Sequence, residues 1–77
     1  MRLVDAAAEI LSKDPEGVLT VREIAERAIS EGLITPASAT PWVYMAAAMR
    51  KEIRNAAETG GQTRFRTEAS GRYRWAN

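Results

Sequence analysis

Seventy-seven residues, 45% of them hydrophobic, supply one small core and leave no room for a second. The chain has neither cysteine nor histidine, which removes disulfides, thiolate and imidazole metal sites, and the commonest general base. Eleven basic against ten acidic residues give a net charge of only +1, and the short, alanine-rich apolar runs are too brief to span a bilayer.

The first element is a predicted helix from Leu3 to about Lys13, with Leu3, Ala7, Ile10 and Leu11 on one stripe and Asp5, Glu9 and Ser12 opposite. Asp14-Pro15-Glu16-Gly17 breaks it, and Val18-Leu19 is a short extended stretch suited to an edge strand. Thr20-Val21-Arg22-Glu23 has the form of a capping box, so a second helix begins after Thr20 with Val21, Ile24, Ala25 and Ala28 inward. Gly32 stops that helix where a left-handed residue is wanted. Leu33 to Ala39 connects it to a third helix, opened by a Thr40 hydroxyl cap and Pro41 and running to about Glu58 before Thr59-Gly60-Gly61. Its inward stripe is Trp42, Met45, Ala46, Met49, Ile53 and Ala56.

The period then changes to two. Thr63–Thr67 and Arg72–Trp75 alternate around a turn at Glu68-Ala69-Ser70-Gly71, which predicts a β-hairpin with Phe65, Tyr73 and Trp75 inward and all four arginines on the other face. The order of elements describes an α+β, mostly α fold: a winged helix–turn–helix with three helices, a short strand and a C-terminal hairpin wing, forming a single domain over residues 1–77. Such a domain can stand alone or serve as one module of a larger protein.

Charge is unevenly spread over these elements. Residues 1–41 carry four basic and seven acidic side chains, whereas residues 42–77 carry seven basic and three acidic. A basic half can hold a polyanion while an acidic half keeps the remaining surface off it. Nine of the eleven cations are arginine, as suits bidentate phosphate contact, and equally as follows from arginine- and alanine-rich coding bias. Met1-Arg2 leads directly into a helix containing Asp5 and Glu9, unlike a secretory signal, so a cytoplasmic, nucleoid-associated or nuclear location is expected.

Several stretches together resemble the HARE-HTH domain: Ala6-Ala7 with Ile10-Leu11, Leu19-Thr20 before Arg22-Glu23-Ile24, and Ile29-Ser30-Glu31-Gly32-Leu33. Thr40-Pro41, Met45, Met49, Phe65 and the closing Gly71-Arg72-Tyr73-Arg74-Trp75 complete the likeness, which covers about Asp5 to Ala76. The domain is shared by additional-sex-combs-like chromatin proteins, chromatin remodelling components, restriction enzymes and the RNA polymerase delta subunit. Its last segment usually reads glycine, small residue, aromatic, variable residue, leucine. This chain departs by placing Arg72 and Arg74 at the non-core positions and Trp75 in place of leucine. The resemblance implies a DNA-binding module within transcription or chromatin machinery or a restriction protein, with double-stranded DNA as partner and no cofactor.

In a helix–turn–helix the motif's second helix enters the major groove. Here that is the third helix, and with Met45, Met49 and Ile53 inward it exposes Tyr44, Ala47, Ala48, Lys51, Arg54 and Asn55. Lys51, Arg54 and Arg50 are candidate phosphate or guanine contacts. Thr40 at the helix start and the Tyr44 hydroxyl are candidates for the sugar–phosphate backbone. Ala46-Ala47-Ala48 can meet only a thymine methyl, so backbone contact with low sequence preference is the expectation.

In the wing, pairing Phe65 with Tyr73 would set Arg64 against Arg74 and Arg66 against Arg72, a repulsion that a phosphate would relieve. Arg66 and Arg72, nearer the turn, are the stronger DNA candidates; Arg64 and Arg74 would aim at solvent. The same charges also serve to protect a strand edge from aggregation. Trp42, Phe65, Tyr73 and Trp75 lie at core spacing and do not form a base-stacking platform. No catalytic or metal-binding constellation is present, so the domain itself is not expected to be an enzyme. The competing reading is a protein–protein adaptor whose acidic face (Asp5, Glu9, Glu16, Glu23, Glu26) docks a basic partner.

Overall fold

A computed structural model describes residues 2–35, 39–69 and 71–76. In chain order the elements are α1 (Leu3–Ser12), β1 (Leu19–Thr20), α2 (Val21–Ser30), α3 (Pro41–Thr59), β2 (Phe65–Ala69) and β3 (Arg72–Trp75). This is the mostly α winged helix–turn–helix that the sequence order predicts, with α2 and α3 as the motif and β2–β3 as the wing. The predicted connection at residues 36–38 and the turn residue Ser70 lie outside the described residues.

Local chemistry sets the helix ends. The Thr20 hydroxyl accepts the Glu23 amide at 3.2 Å, and the Glu23 carboxylate accepts the Thr20 amide at 3.1 Å, so two otherwise orphaned donors of α2 are satisfied together. At its other end Gly32 takes φ +74, and the Leu33 amide donates to Ala28 at 2.9 Å while Gly32 donates to Ile29 at 3.0 Å. That pair of bonds is a Schellman closure, which needs the left-handed backbone glycine allows. Gly60 ends α3 in the same conformation, with the Gly61 amide on the Ala56 carbonyl at 2.9 Å. Pro41 occupies the first turn of α3 as expected, but the Thr40 side chain does not cap the helix. The Thr40 carbonyl instead accepts the Val43 amide at 3.1 Å.

Five side chains from four elements close the core: Leu11 of α1, Ile24 of α2, Met45 and Met49 of α3, and Phe65 of β2. The sequence pattern places only Ala7 of the first alanine run inward, yet Ala6, Ala7 and Ala8 are all buried. Since α1 packs against α2, α3 and β3, it is enclosed on more than one side, and alanine permits the close approach. Val18 is exposed and the short strand falls one residue later than expected, at Leu19–Thr20.

The sheet is antiparallel with order β1-β3-β2, so β3 is central. Here the hairpin register differs from expectation. Phe65 lies opposite Trp75, Arg66 opposite Arg74, Thr67 opposite Tyr73 and Ala69 opposite Arg72, with an irregularity between Thr67 and Ala69 that makes Glu68 the extra residue. Phe65 and Tyr73 still point inward, because a slip of two residues leaves each side chain on its original face. The Val21 amide donates to the Gly71 carbonyl at 3.1 Å and ties the start of α2 to the hairpin turn.

Nothing lies within 4 Å of a Cβ built at Gly32, so the cost of a side chain there is backbone strain alone. Gly32→Ala is expected to destabilise the domain by about 1 kcal/mol in chemical denaturation. An unchanged unfolding midpoint would show that the α2 closure does not depend on this conformation.

Candidate nucleic-acid interface

The orientation of α3 decides which of its charges face outward. Met45 and Met49 are 0% exposed, and Trp42, Ala48 and Ile53 pack at the core margin. Residues at about 100° per step therefore place Tyr44, Ala47, Lys51, Arg54 and Asn55 on the outer side with Arg50 at its edge, and all six are exposed. Ala48, expected outward, is instead partly buried. Among the described residues Arg50, Lys51 and Arg54 make no ion pair, so these three cations stand unneutralised on one helix. Val43 and Tyr44, 53% and 59% exposed, give the first turns of that face an apolar character.

The wing arginines divide into two groups. Arg66 and Arg72 are exposed and make no ion pair among the described residues. Arg72 lies opposite Thr20 on β1 and near the first turn of α2. The Glu23 carboxyl there is held below its ordinary value, first by the Thr20 amide, then by the Thr20 hydroxyl, with Arg27 and Arg72 adding to the effect.

Arg64 does not face solvent with the others. Its Nη2 donates to Glu52 of α3 at 2.7 Å and to Asp5 of α1 at 3.2 Å, and its Nε and main-chain amide each reach the other Glu52 oxygen at 3.3 Å. The guanidinium also lies 5.6 Å from the centre of the Phe65 ring. Arg74 is likewise occupied, donating to Glu68 at 3.3 Å. The expected crowding of four outward guanidinium groups is therefore corrected. Arg64 lies at the base of the wing, held to the helices by carboxylates 12 and 59 residues away in sequence. The one like-charge pair across the ladder, Arg66 with Arg74, is relieved by Glu68. Sequence reasoning missed Glu52 and Asp5 as partners; the signal was Glu52 at the margin of an otherwise apolar helix stripe.

The acidic half is also largely occupied. Glu26 pairs with Arg22 at 3.2 Å, Glu31 pairs with Lys13, Glu23 belongs to the capping box and Asp5 holds Arg64. The bond to Glu31 raises the Lys13 pKa above its ordinary value. Arg22 additionally lies 4.6 Å from the Trp42 ring centre, so the start of α3 is braced against α2. Of the aromatics, Phe65 and Tyr73 are buried and Trp42 and Trp75 pack against the core.

A helix–turn–helix with an exposed second helix and a basic wing is the geometry of a duplex-binding domain, and the family-level match agrees: the description HARE-HTH, restriction endonuclease HTH domain, covers residues 1–77. The chain belongs to the HARE-HTH family. HARE-HTH is a DNA-binding helix–turn–helix family, which assigns the domain a DNA-binding role. No curated protein and no solved structure matches the chain significantly.

In this HARE-HTH domain the Arg64 cluster is the electrostatic link between wing and helices. Arg64 lowers the Glu52 pKa below its ordinary value of 4.5, chiefly through the side-chain hydrogen bond, and Glu52 raises that of Arg64. A depressed carboxylate contributes stability above its unfolded pKa and loses it as the pH falls through the folded value. Side-chain exposures of 36% for Arg64 and 25% for Glu52 keep the contribution modest. Glu52→Gln is expected to cost about 1 kcal/mol at pH 7, and the gap from wild type should close as the pH drops below the ordinary carboxylate range. Thermal melts at neutral and acid pH test this; a gap independent of pH would remove the ion pair as its cause.

Proposed function

We propose that this HARE-HTH domain binds duplex DNA mainly through phosphates, with little sequence preference, and delivers a larger protein to DNA in transcription or chromatin processes. The observation that carries this reading is the row Arg50, Lys51 and Arg54: three exposed cations without ion-pair partners on the outer face of the second helix of the motif. Arg66 and Arg72 extend the same charge onto the wing, where minor-groove or phosphate contact is within the repertoire of a basic hairpin. Tyr44 contributes a hydroxyl beside the row, and Thr40 marks the helix start that faces the backbone. Arg64 and Arg74 act differently in this reading: each is spent on a carboxylate, so they hold the wing in position rather than grip DNA.

Low sequence preference follows from what the outer face lacks. Ala47 has no hydrogen-bonding group, Val43 is apolar, and Asn55 is the one amide on that face. Arginine or asparagine reading one base leaves the neighbouring positions unread. The domain acts as a binding module and carries no reaction of its own. Its four shifted groups, Lys13, Glu23, Glu52 and Arg64, are each accounted for by a structural bond, not by a cleft built for proton transfer.

The adaptor alternative is weaker on electrostatic grounds. Its acidic face would have to dock a basic partner, yet Asp5, Glu23 and Glu26 already have partners within the domain.

Replacing Lys51, Arg54, Arg66 and Arg72 with alanine is expected to abolish duplex retention at low salt while leaving the circular dichroism spectrum unchanged. Each phosphate contact removed should lower the slope of log affinity against log salt by about one. Arg64→Ala should lower thermal stability with a much smaller effect on that slope. A folded quadruple variant that still retards duplex DNA would refute the assignment, and a wild-type domain with no retention at low salt would favour the adaptor.

A further inference from the structure

An open cleft of about 220 Å³ lies between the start of α1 and the outer side of α3, lined by Arg2, Val4, Ala48, Lys51, Glu52, Asn55 and Arg64. It brings together residues from opposite ends of the chain, and Arg2 has no place in the sequence-level account of the interface. Three of its lining side chains are cationic and one is anionic. The anion, Glu52, is bonded through both carboxylate oxygens to Arg64, so its charge is offset at the cleft wall. Arg2 and Lys51 are exposed and make no ion pair among the described residues. Asn55 adds an amide donor, while Val4 and Ala48 form an apolar floor against which charge is less well screened. The cleft has several times the roughly 30 Å³ occupied by one water, which is room for a tetrahedral anion with part of its hydration shell.

We propose that this cleft is a seat for a DNA phosphate flanking the stretch entered by α3, with Arg2 and Lys51 as its two cationic jaws and Asn55 donating between them. The proposal rests on the duplex-binding reading and deepens it. Lys51 and Asn55 belong both to the cleft and to the outer face of α3, so a strand running along that face reaches the cleft without leaving the helix. The first turn of α1 assists, because Arg2 occupies its N-cap position and no side chain caps the amides there. Arg64 is a positioning residue here: bonded to Glu52 and Asp5, it holds α1, α3 and the base of the wing in the relation that keeps the cleft open.

Arg2→Gln separates this seat from the rest of the interface. Arg2 supports the fold through its carbonyl, which accepts the Ala6 amide at 3.0 Å, a bond that glutamine preserves. Binding is measured for wild type, R2Q and R54A on a duplex of about two turns, roughly 20 base pairs, and on one of about one turn, roughly 10. R2Q is expected to weaken binding about 3- to 10-fold on the longer duplex and to reduce its salt slope by about one. On the shorter duplex, which lacks the flanking phosphate, R2Q should equal wild type while R54A is weakened on both. If R2Q matches wild type on the longer duplex while R54A is impaired, the seat is refuted and duplex binding stands. If wild type binds neither duplex, both fail together.

Discussion

Burial of two methionines on one side of α3 is the constraint from which the interface follows. Met45 and Met49 meet Leu11, Ile24 and Phe65 in a core with few other large side chains, because the remainder is built mostly from alanine. A domain of this size buries a small fraction of its surface and has little apolar area to spare. Rotating α3 to hide its charges would expose both methionines and uncover Phe65. The outward direction of Arg50, Lys51 and Arg54 is therefore a consequence of core packing, and the charges need no additional restraint.

The wing depends on a different force. It meets the helices through Phe65 and Tyr73 on its inner face and through Arg64 at its base. An arginine between a β-strand and carboxylates on two helices combines a planar fork of donors with an apolar stem, and here that stem approaches the Phe65 ring. The exposed pair contributes modestly to stability, but it sets direction: the strand leaves α3 with its first residue fixed to Glu52. Division of labour among the wing arginines follows. Those bonded to carboxylates shape the hairpin, and those without such partners remain available to a polyanion.

Much of the fold was legible in the sequence because short-range chemistry carries it. The capping box at Thr20 and Glu23, the glycine at the end of α2 and the proline opening α3 each act within a few residues, and each appears where the pattern places it. The exception among the caps is Thr40, whose hydroxyl does not bond the start of α3. The hairpin register was not legible. A period of two is satisfied equally by Phe65 opposite Tyr73 and by Phe65 opposite Trp75, since both keep the aromatics inward. The bulge at Glu68 and the pairing of β3 with β1 on its other edge select the second arrangement.

The sequence by itself determined the helices, their caps, the inward aromatics and the segregation of basic residues into the second half, since all of these are set by neighbours in the chain or by composition. Tertiary structure alone decided which arginines remain available. Arg64 and Arg66 are two residues apart and chemically identical, yet one is bonded to α1 and α3 while the other stands at the surface. Their difference arises from carboxylates brought close by folding, and Coulomb attraction depends on distance in space, not on separation along the chain. For the same reason Arg2 and Lys51, at opposite ends of the sequence pattern, come to line one cleft.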